Sequence, residues 1–356
     1  MKEEKYYRYS SNNDSSHINI KSEDRKSYIL VTGGAGFIGS HVARYLVKMG
    51  NKVICLDDLS GGFEDNIPDE AELIVGSIID TKLIAELFQK YKFDYVFHLA
   101  AYAAEGLSHF IKKFNYENNL IGSINLINAS IINKVKCFVF TSSIAVYGEN
   151  QLPMTEETIP MPEDPYGISK LAVELELKAS YKMFGLNYII FRPHNVYGEN
   201  QNIGDRYRNV IGIFMNNIMQ GKPMTIFGDG TQTRAFTYIE DVAPIIAKSI
   251  YNKKAYGEIF NIGADQPYTV NELAGKVAEV MGIKAKIKYL KERKEVKHAY
   301  ASHEKLYKTF NYKPSWSLEE GLKRMGSWAK SVGIRKSKEF KNIEITYNLP
   351  SIWLRK

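Results

Sequence analysis

Six stretches of this chain stay apolar through consecutive positions for the length of a strand: SYILVTG, NKVICLDD, AELIVGS, FDYVFHLAA, VKCFVFTSS and LNYIIFRP. A strand that is apolar on both faces must be covered on both, which a parallel sheet with helices above and below provides. Segments with apolar residues at helical spacing, such as GSHVARYLVKMG and TKLIAELFQKY, lie between these runs and supply that cover. The pattern predicts an α/β protein with a Rossmann-type doubly wound parallel sheet. At 356 residues the chain also has room for a smaller C-terminal α/β domain that binds substrate.

The first strand runs directly into TGGAGFIGSHVARYLVKMG, where Gly33, Gly36 and Gly39 are spaced GxxGxxG. Glycine at these places permits a tight turn, close approach of backbone amides to a pyrophosphate, and close packing of helix on strand. The helix N-terminus then adds partial positive charge. Asp57 closes the second strand, where a carboxylate can accept hydrogen bonds from ribose hydroxyls and would repel a 2′-phosphate. This favours NAD over NADP.

Downstream, the strand VKCFVF ends in three hydroxyl side chains, Thr141, Ser142 and Ser143, and EDPYGISKLAVELELKASYKMFG follows. Pro165 opens a helix there, so Tyr166 and Lys170, four residues apart, share one face. An ammonium beside a phenol stabilises phenolate, as does the positive nicotinamide of NAD⁺, so the Tyr166 pKa is expected to fall toward working pH and allow proton exchange with a hydroxyl.

Composition narrows the remaining classes. No uninterrupted apolar run approaches the ~18–20 residues of a membrane helix, and residues 1–26 lack the apolar centre of a secretory signal, reading as a disordered leader. Cys55 and Cys137 sit in apolar strand text, as core residues in a reducing, cytoplasmic setting. The seven histidines show no ligand spacing, so no metal is expected. From Lys284 to Lys356 there are 19 Lys and Arg against seven Glu and no Asp, a net +12 that leaves −5 for the rest of a chain whose total is +7. With no aromatic platforms between these lysines, the charge reads as a solvated face that suits a phosphate-bearing small molecule, not nucleic acid.

TGGAGFIG, HLAA at 98–101, TSSIAVYG, YGISK, RPHNVYG, FGDGTQTRAFTYIEDVA and SLEEGL, in that order from residue 28 to about 330, together resemble the extended short-chain dehydrogenase/reductase superfamily. Within it the chain is most similar to the NAD-dependent nucleotide-sugar epimerase/dehydratase family, and to its UDP-glucose 4-epimerase members in particular. The resemblance implies a catalytic set of Ser143, Tyr166 and Lys170, with Thr141 and Ser142 as strand-end structure. It implies NAD contacts from Gly33, Gly36, Phe37, Ile38, Gly39, Asp57, Ser77, Ile78, Leu99, Ala100 and Ala101, besides Tyr166 and Lys170. Ser77 stands where many relatives carry Asp, and its hydroxyl can still hydrogen-bond. Substrate contacts are implied for Asn119, Asn195, Arg234, Arg293, Glu105 and Ala299, with segment 202–228 closing over the nucleotide. Arginine suits the phosphates because its fork binds their oxygens bidentately.

Reaction type turns on the residues after Ser143. Family 4,6-dehydratases place Asp then Glu there, and family decarboxylases a Glu just before the valine of VYG; this chain has Ile144 and Ala145, which can neither donate nor accept a proton. Oxidation at C4, reorientation and hydride return remain, which is 4-epimerisation of a UDP-hexose. Glu105 would discourage a substrate carboxylate such as glucuronate, and Ala299 would leave room for an N-acetyl group. His109 and His194 read as pocket or buried-loop residues. Other readings stay open: a dehydratase, reductase or epimerase acting at another carbon or on a GDP- or dTDP-sugar, or a non-catalytic NAD-binding regulator. The expected domains are 27–195 with 239–263 for NAD and 196–238 with 264–333 for the nucleotide sugar, followed by a tail, 334–356. By resemblance the protein forms a homodimer through helices around 111–130 and 166–184.

Overall fold

The computed structural model describes residues 26–293, 295–337 and 340–353. All of the expected leader but its last residue lies outside them. Along the chain run β1 (Tyr28–Thr32), α1 (Phe37–Lys48), β2 (Lys52–Asp57), β3 (Glu72–Val75), α2 (Thr81–Tyr91), β4 (Tyr95–His98), α3 (Glu105–Ser108), α4 (Lys112–Tyr116), α5 (Gly122–Ile132), β5 (Cys137–Thr141), α6 (Pro165–Phe184) and β6 (Tyr188–Pro193). There follow β7 (Val196–Tyr197), α7 (Val210–Met219), β8 (Met224–Phe227), β9 (Thr233–Ala235), β10 (Thr237–Tyr238), α8 (Ala243–Lys248) and β11 (Glu258–Ile262). The last elements are β12 (Pro267–Thr269), α9 (Val270–Met281), β13 (Ile287–Leu290), β14 (His298–Ala299), α10 (Glu304–Phe310) and α11 (Leu318–Val332).

The six apolar runs form a parallel sheet, completed by β11, in the order β11-β6-β5-β4-β1-β2-β3. Period-two side-chain alternation explains why each run is apolar throughout. Ile29 and Val31 of β1, and Val53 and Cys55 of β2, face the core that includes α1 and α8. Leu30, Ile54 and Leu56 face the core that includes α2, α5 and α6. Each such Ile, Val or Leu contributes about 1.5–3 kcal/mol by leaving water. Both cysteines are free and buried, with thiols pushed up to about 12 by burial.

The chain departs from β1 toward β2 and β3 on one side, then returns to β4, β5 and β6 on the other. The crevice beyond the carboxyl ends of β1 and β4 is therefore the topological switch point where ligands bind in such sheets. Shorter pieces, β8 with β13 and β12-β9-β14, sit with α7, α9 and α11 as a second body over that end. One continuous apolar cluster runs from Ile29 through Phe214 and Leu273 to Leu322, fixing the two bodies against each other. The described part of the tail packs on the body: Leu349 and Trp353 are buried.

Candidate active site

Two cavities meet at the carboxyl end of the sheet, of about 420 and 220 Å³. The smaller is lined by Gly33, Gly36, Phe37, Ile38, Gly39, Asp57, Ser77, Ile78, Leu99, Ala100 and Ala101, the full set expected for the cofactor apart from Tyr166 and Lys170. The glycine turn is sterically obligatory here. Gly33 has φ +71°, and a Cβ on Gly39 would stand 2.0 Å from the Gly33 carbonyl oxygen. No side chain caps the start of α1, so its first amides remain directed at a ligand. Asp57 accepts from the amides of Ala35 (3.1 Å) and Leu59 (2.9 Å), which orients its carboxylate and leaves lone pairs for a diol. Burial raises its pKa against those bonds. The cradle thus fits a dinucleotide.

The larger cavity holds Ser143, Tyr166 and Lys170 together. Asp164 caps α6 by accepting from Gly167 N at 3.0 Å, and Pro165 takes the first helical position. These two residues start α6 where Tyr166 and Lys170 reach the end of β5. The Lys170 ammonium donates to Thr141 O at 2.8 Å and lies 4.8 Å from the centre of the Phe140 ring. The Ser143 hydroxyl lies near enough to the Tyr166 phenol to lower its pKa, and it accepts from Ala145 N at 3.1 Å.

The protein's own groups do not produce the expected fall in the Tyr166 pKa: burial pushes the phenol well above its ordinary value, against the lowering influence of Ser143. Burial also lowers Lys170 to about 7, so the ammonium meant to depress the phenol is itself poised to lose its proton. Enclosure acts on both groups in the direction of neutrality.

Of the hydroxyl run, Ser142 is structural. It donates to Glu174 at 2.5 Å, and Glu174 receives Arg192 through Nε at 2.9 Å and Nη2 at 2.5 Å, all three buried. Arg192 continues to the Tyr147 hydroxyl at 2.7 Å, which donates to Asn261 at 2.8 Å. Thr141 departs from expectation. It lines both cavities, and its buried hydroxyl has no partner within the protein, which marks it as a ligand-facing group.

Among expected substrate residues, Glu105, Asn195, Arg234, Arg293 and Ala299 all line the larger cavity. Asn119 does not. Its side chain is buried and used up by Tyr102 N (2.8 Å), Tyr102 O (3.2 Å) and Asn115 Oδ1 (2.8 Å), pinning the loop after β4. Arg293 and Arg234 share Glu295, at 2.9 and 3.7 Å, so two positive charges face the cleft against one negative. The enclosing walls push Glu105 up to about 7, with the Asp164 charge adding, although the residue keeps contact with solvent. Asp164 accepts a further bond from Ser108 at 3.2 Å.

His194 lines the cleft and is bonded to His303 at 2.8 Å, which in turn bonds Asp265 at 2.6 Å. Burial and the facing His303 drop His194 to about 3, keeping it neutral. Arg208, on both cavities and paired with Asp205 at 2.7 Å, is a charged cleft residue that spacing in the sequence did not single out.

Fold and glycine cradle together define an NAD-binding α/β protein with a larger cavity beside the cradle. Residues 29–263 match the model of the NAD dependent epimerase/dehydratase family, and the chain belongs to that family. A putative UDP-glucose 4-epimerase of Methanocaldococcus jannaschii is 37% identical over 306 residues, spanning 85% of this chain and 98% of the relative. The crystal structure of a UDP-glucose 4-epimerase with UDP-glucose from Thermotoga maritima superposes with a TM-score of 0.82 at 36% identity, covering 86% of this chain and 99% of that one. A UDP-glucuronic acid 4-epimerase from Bacillus cereus, solved with UDP-glucuronic acid and NAD, gives 0.79 at 31% identity, covering 86% and 99%. Among the described residues no helix is long and apolar enough to cross a membrane.

Proposed function

We propose that this protein is an NAD-dependent 4-epimerase of a UDP-hexose whose C6 carries no charge, with glucose/galactose or the N-acetylhexosamine pair as substrates. The observation that carries the reading is the convergence of Ser143, Tyr166 and Lys170 in the larger cavity, beside Ile144 and Ala145, with Lys170 bonded to Thr141, a residue both cavities share. Bound NAD supplies a hydride acceptor and later its donor. Tyr166 carries the proton of the C4 hydroxyl, and Ser143, which already works against the burial of the phenol, orients that oxygen. Lys170, held by Thr141 O, sets the ribose side of the junction.

Elimination of water would need a second acid and base next to Ser143, and Ile144 and Ala145 offer neither. Turnover of the keto sugar to present its other face needs space, and the small side chains of Ala145 and Ala299 supply it. Arg234 and Arg293 take the diphosphate. Glu105 and Asp164 set a negative wall by the sugar, which disfavours a uronate and suits hydroxyl donors. Exposed apolar side chains on α6 and just before α5, Leu175, Met183, Phe184 and Ile121, support pairing of two copies through these helices.

The test is an NMR time course of the purified protein with UDP-glucose, UDP-N-acetylglucosamine and UDP-glucuronate. Inversion at C4 of either neutral sugar is expected. A 4-keto-6-deoxy product, or turnover of the glucuronate alone, would sink the proposal.

A further inference from the structure

Past α11 the chain turns back along the body instead of leaving it. Arg335 exchanges hydrogen bonds with the Asn216 side chain, at 3.1 and 3.2 Å, and Ser337 Oγ accepts from Asn202 at 3.1 Å. Phe340 then packs edge-on against Phe114, with ring centres 4.8 Å apart. Glu344 accepts from the amides of Lys113 and Phe114 at 2.9 Å each, while its own amide donates to Phe110 O at 2.9 Å. Trp353, the last of the described residues, is 4% exposed.

Trp353 is placed where three cleft-lining segments meet. Its ring lies 5.5 Å from that of Tyr207 and 6.3 Å from that of Phe227, and a Cβ on Gly106 would come within 3.4 Å of it. The Arg293 guanidinium stacks over the other contact of this group, 4.7 Å from the Phe227 ring centre. Gly106, Tyr207, Phe227 and Arg293 all line the larger cavity. Trp353 itself stands behind them. They come from the one-turn helix α3, the loop holding Tyr207 and the last residue of β8, three parts with no strand or helix pairing between them, so a shared apolar anchor holds them in one arrangement. The family resemblance stops near residue 330, so this anchor is an addition to the shared body.

We propose that residues 340–353 form a built-in outer brace of the nucleotide-sugar cleft, and that Trp353 is a positioning residue that holds Phe227, and through it Arg293, toward the diphosphate. The inference rests on the cleft's reading as a UDP-sugar site. Trp353 acts on ligand binding at one end of the cleft; its ring partners Phe110, Tyr207 and Phe227 lie outside the dinucleotide cradle, which the brace meets at its other end, through Phe340 on Tyr102 and Phe114. Its loss therefore raises KM with kcat nearly constant, the mark of lost binding common to ground and transition states.

The experiment uses the full chain as Trp353→Ala, Trp353→Phe and Glu344→Gln, titrated with UDP by calorimetry, with bound NAD measured and hydrogen exchange followed over 105–111 and 199–209. The expected result for Trp353→Ala is a loss of UDP affinity of about tenfold, full NAD content and faster exchange in both segments, with Trp353→Phe recovering much of the loss. UDP affinity within about twofold of the parent, or NAD lost together with UDP in Trp353→Phe, would overturn it. Should Trp353→Ala fail to fold, Trp353→Phe and Glu344→Gln decide by the same readouts. If the parent itself does not bind UDP, the functional reading fails, and exchange alone decides the brace: unchanged rates in 105–111 and 199–209 remove it.

Discussion

The two ends of the cleft are built from different materials. At the dinucleotide end the ligand meets backbone: a glycine turn that admits no Cβ, the uncapped start of α1, and the strand-end residues Leu99, Ala100 and Ala101. At the end proposed here for the sugar, the cavity is lined by charged side chains, Glu105, Asp164, Arg208, Arg234, Arg293 and Glu295, drawn from five separate parts of the chain. The first kind of site is inseparable from the fold, because the turn that makes it also packs α1 on β1. The second can be altered without disturbing the sheet. A fold can therefore keep its cofactor while its substrate changes.

The sharpest break of this comparison is Gly39→Val. Its Cβ would meet the Gly33 carbonyl, which is backbone and cannot give way, so destabilisation of about 3 kcal/mol or more and loss of bound NAD are expected. Retention of NAD with a normal melting temperature would show that the turn is not rigid. Next comes Tyr166→Phe, which should lower kcat by about 10²–10⁴-fold with NAD content intact; unchanged turnover would remove Tyr166 from the proton path. Arg293→Ala, at the sugar end, is expected to raise KM for the UDP-sugar about tenfold with fold and NAD untouched, as steady-state kinetics and a thermal melt would reveal.

Glu105→Gln is a smaller change, read as the ratio of kcat/KM for UDP-glucose over UDP-glucuronate. The ratio should fall several-fold as the negative wall is removed, and more steeply above pH 7 than below, since the carboxyl titrates near 7. A pH-independent ratio would mean that Glu105 does not face the sugar. The smallest effect concerns Lys170. Its folded-state pKa, about 7, lies below the unfolded value, so the unfolded chain binds more protons between pH 7 and 10 and stability rises with pH there. Lys170→Met should abolish that rise between pH 7 and 8.5, measured as the shift in urea midpoint; an unaltered slope would assign it to other groups.

What was legible in the sequence follows the same division. The glycine turn, Asp57 and the Tyr166–Lys170 pair were readable because turn geometry and helical periodicity are local, and local spacing is written along the chain. Ser142 bonds Glu174, 32 residues away, which in turn receives Arg192, and neither gave a local sign. Asn119 was misplaced because a buried asparagine and a substrate-binding one look alike until the Tyr102 loop is seen folded onto it. Arg208 and the ligand-facing hydroxyl of Thr141 depend on tertiary placement alone. The upward shift of Tyr166 was missed for the same reason: spacing reports which charge is near, while burial, the larger influence here, appears only in three dimensions.

The buried chain from Ser142 through Glu174 and Arg192 to Tyr147 and Asn261 has a consequence for ionic strength. It joins β5, α6, β6 and β11, the elements that set the separation of Ser143, Tyr166 and Lys170, through a pair whose side chains are 1–2% exposed. Mobile ions screen exposed charges over about 8–10 Å but do not enter such a site. The spacing of Ser143, Tyr166 and Lys170 is thereby insulated from salt, while Arg234 and Arg293, 16% and 31% exposed in the cleft, are not. On the function proposed above, a change in the salt concentration of its surroundings would alter how readily the molecule captures a phosphate-bearing ligand, and hardly at all the chemistry that follows.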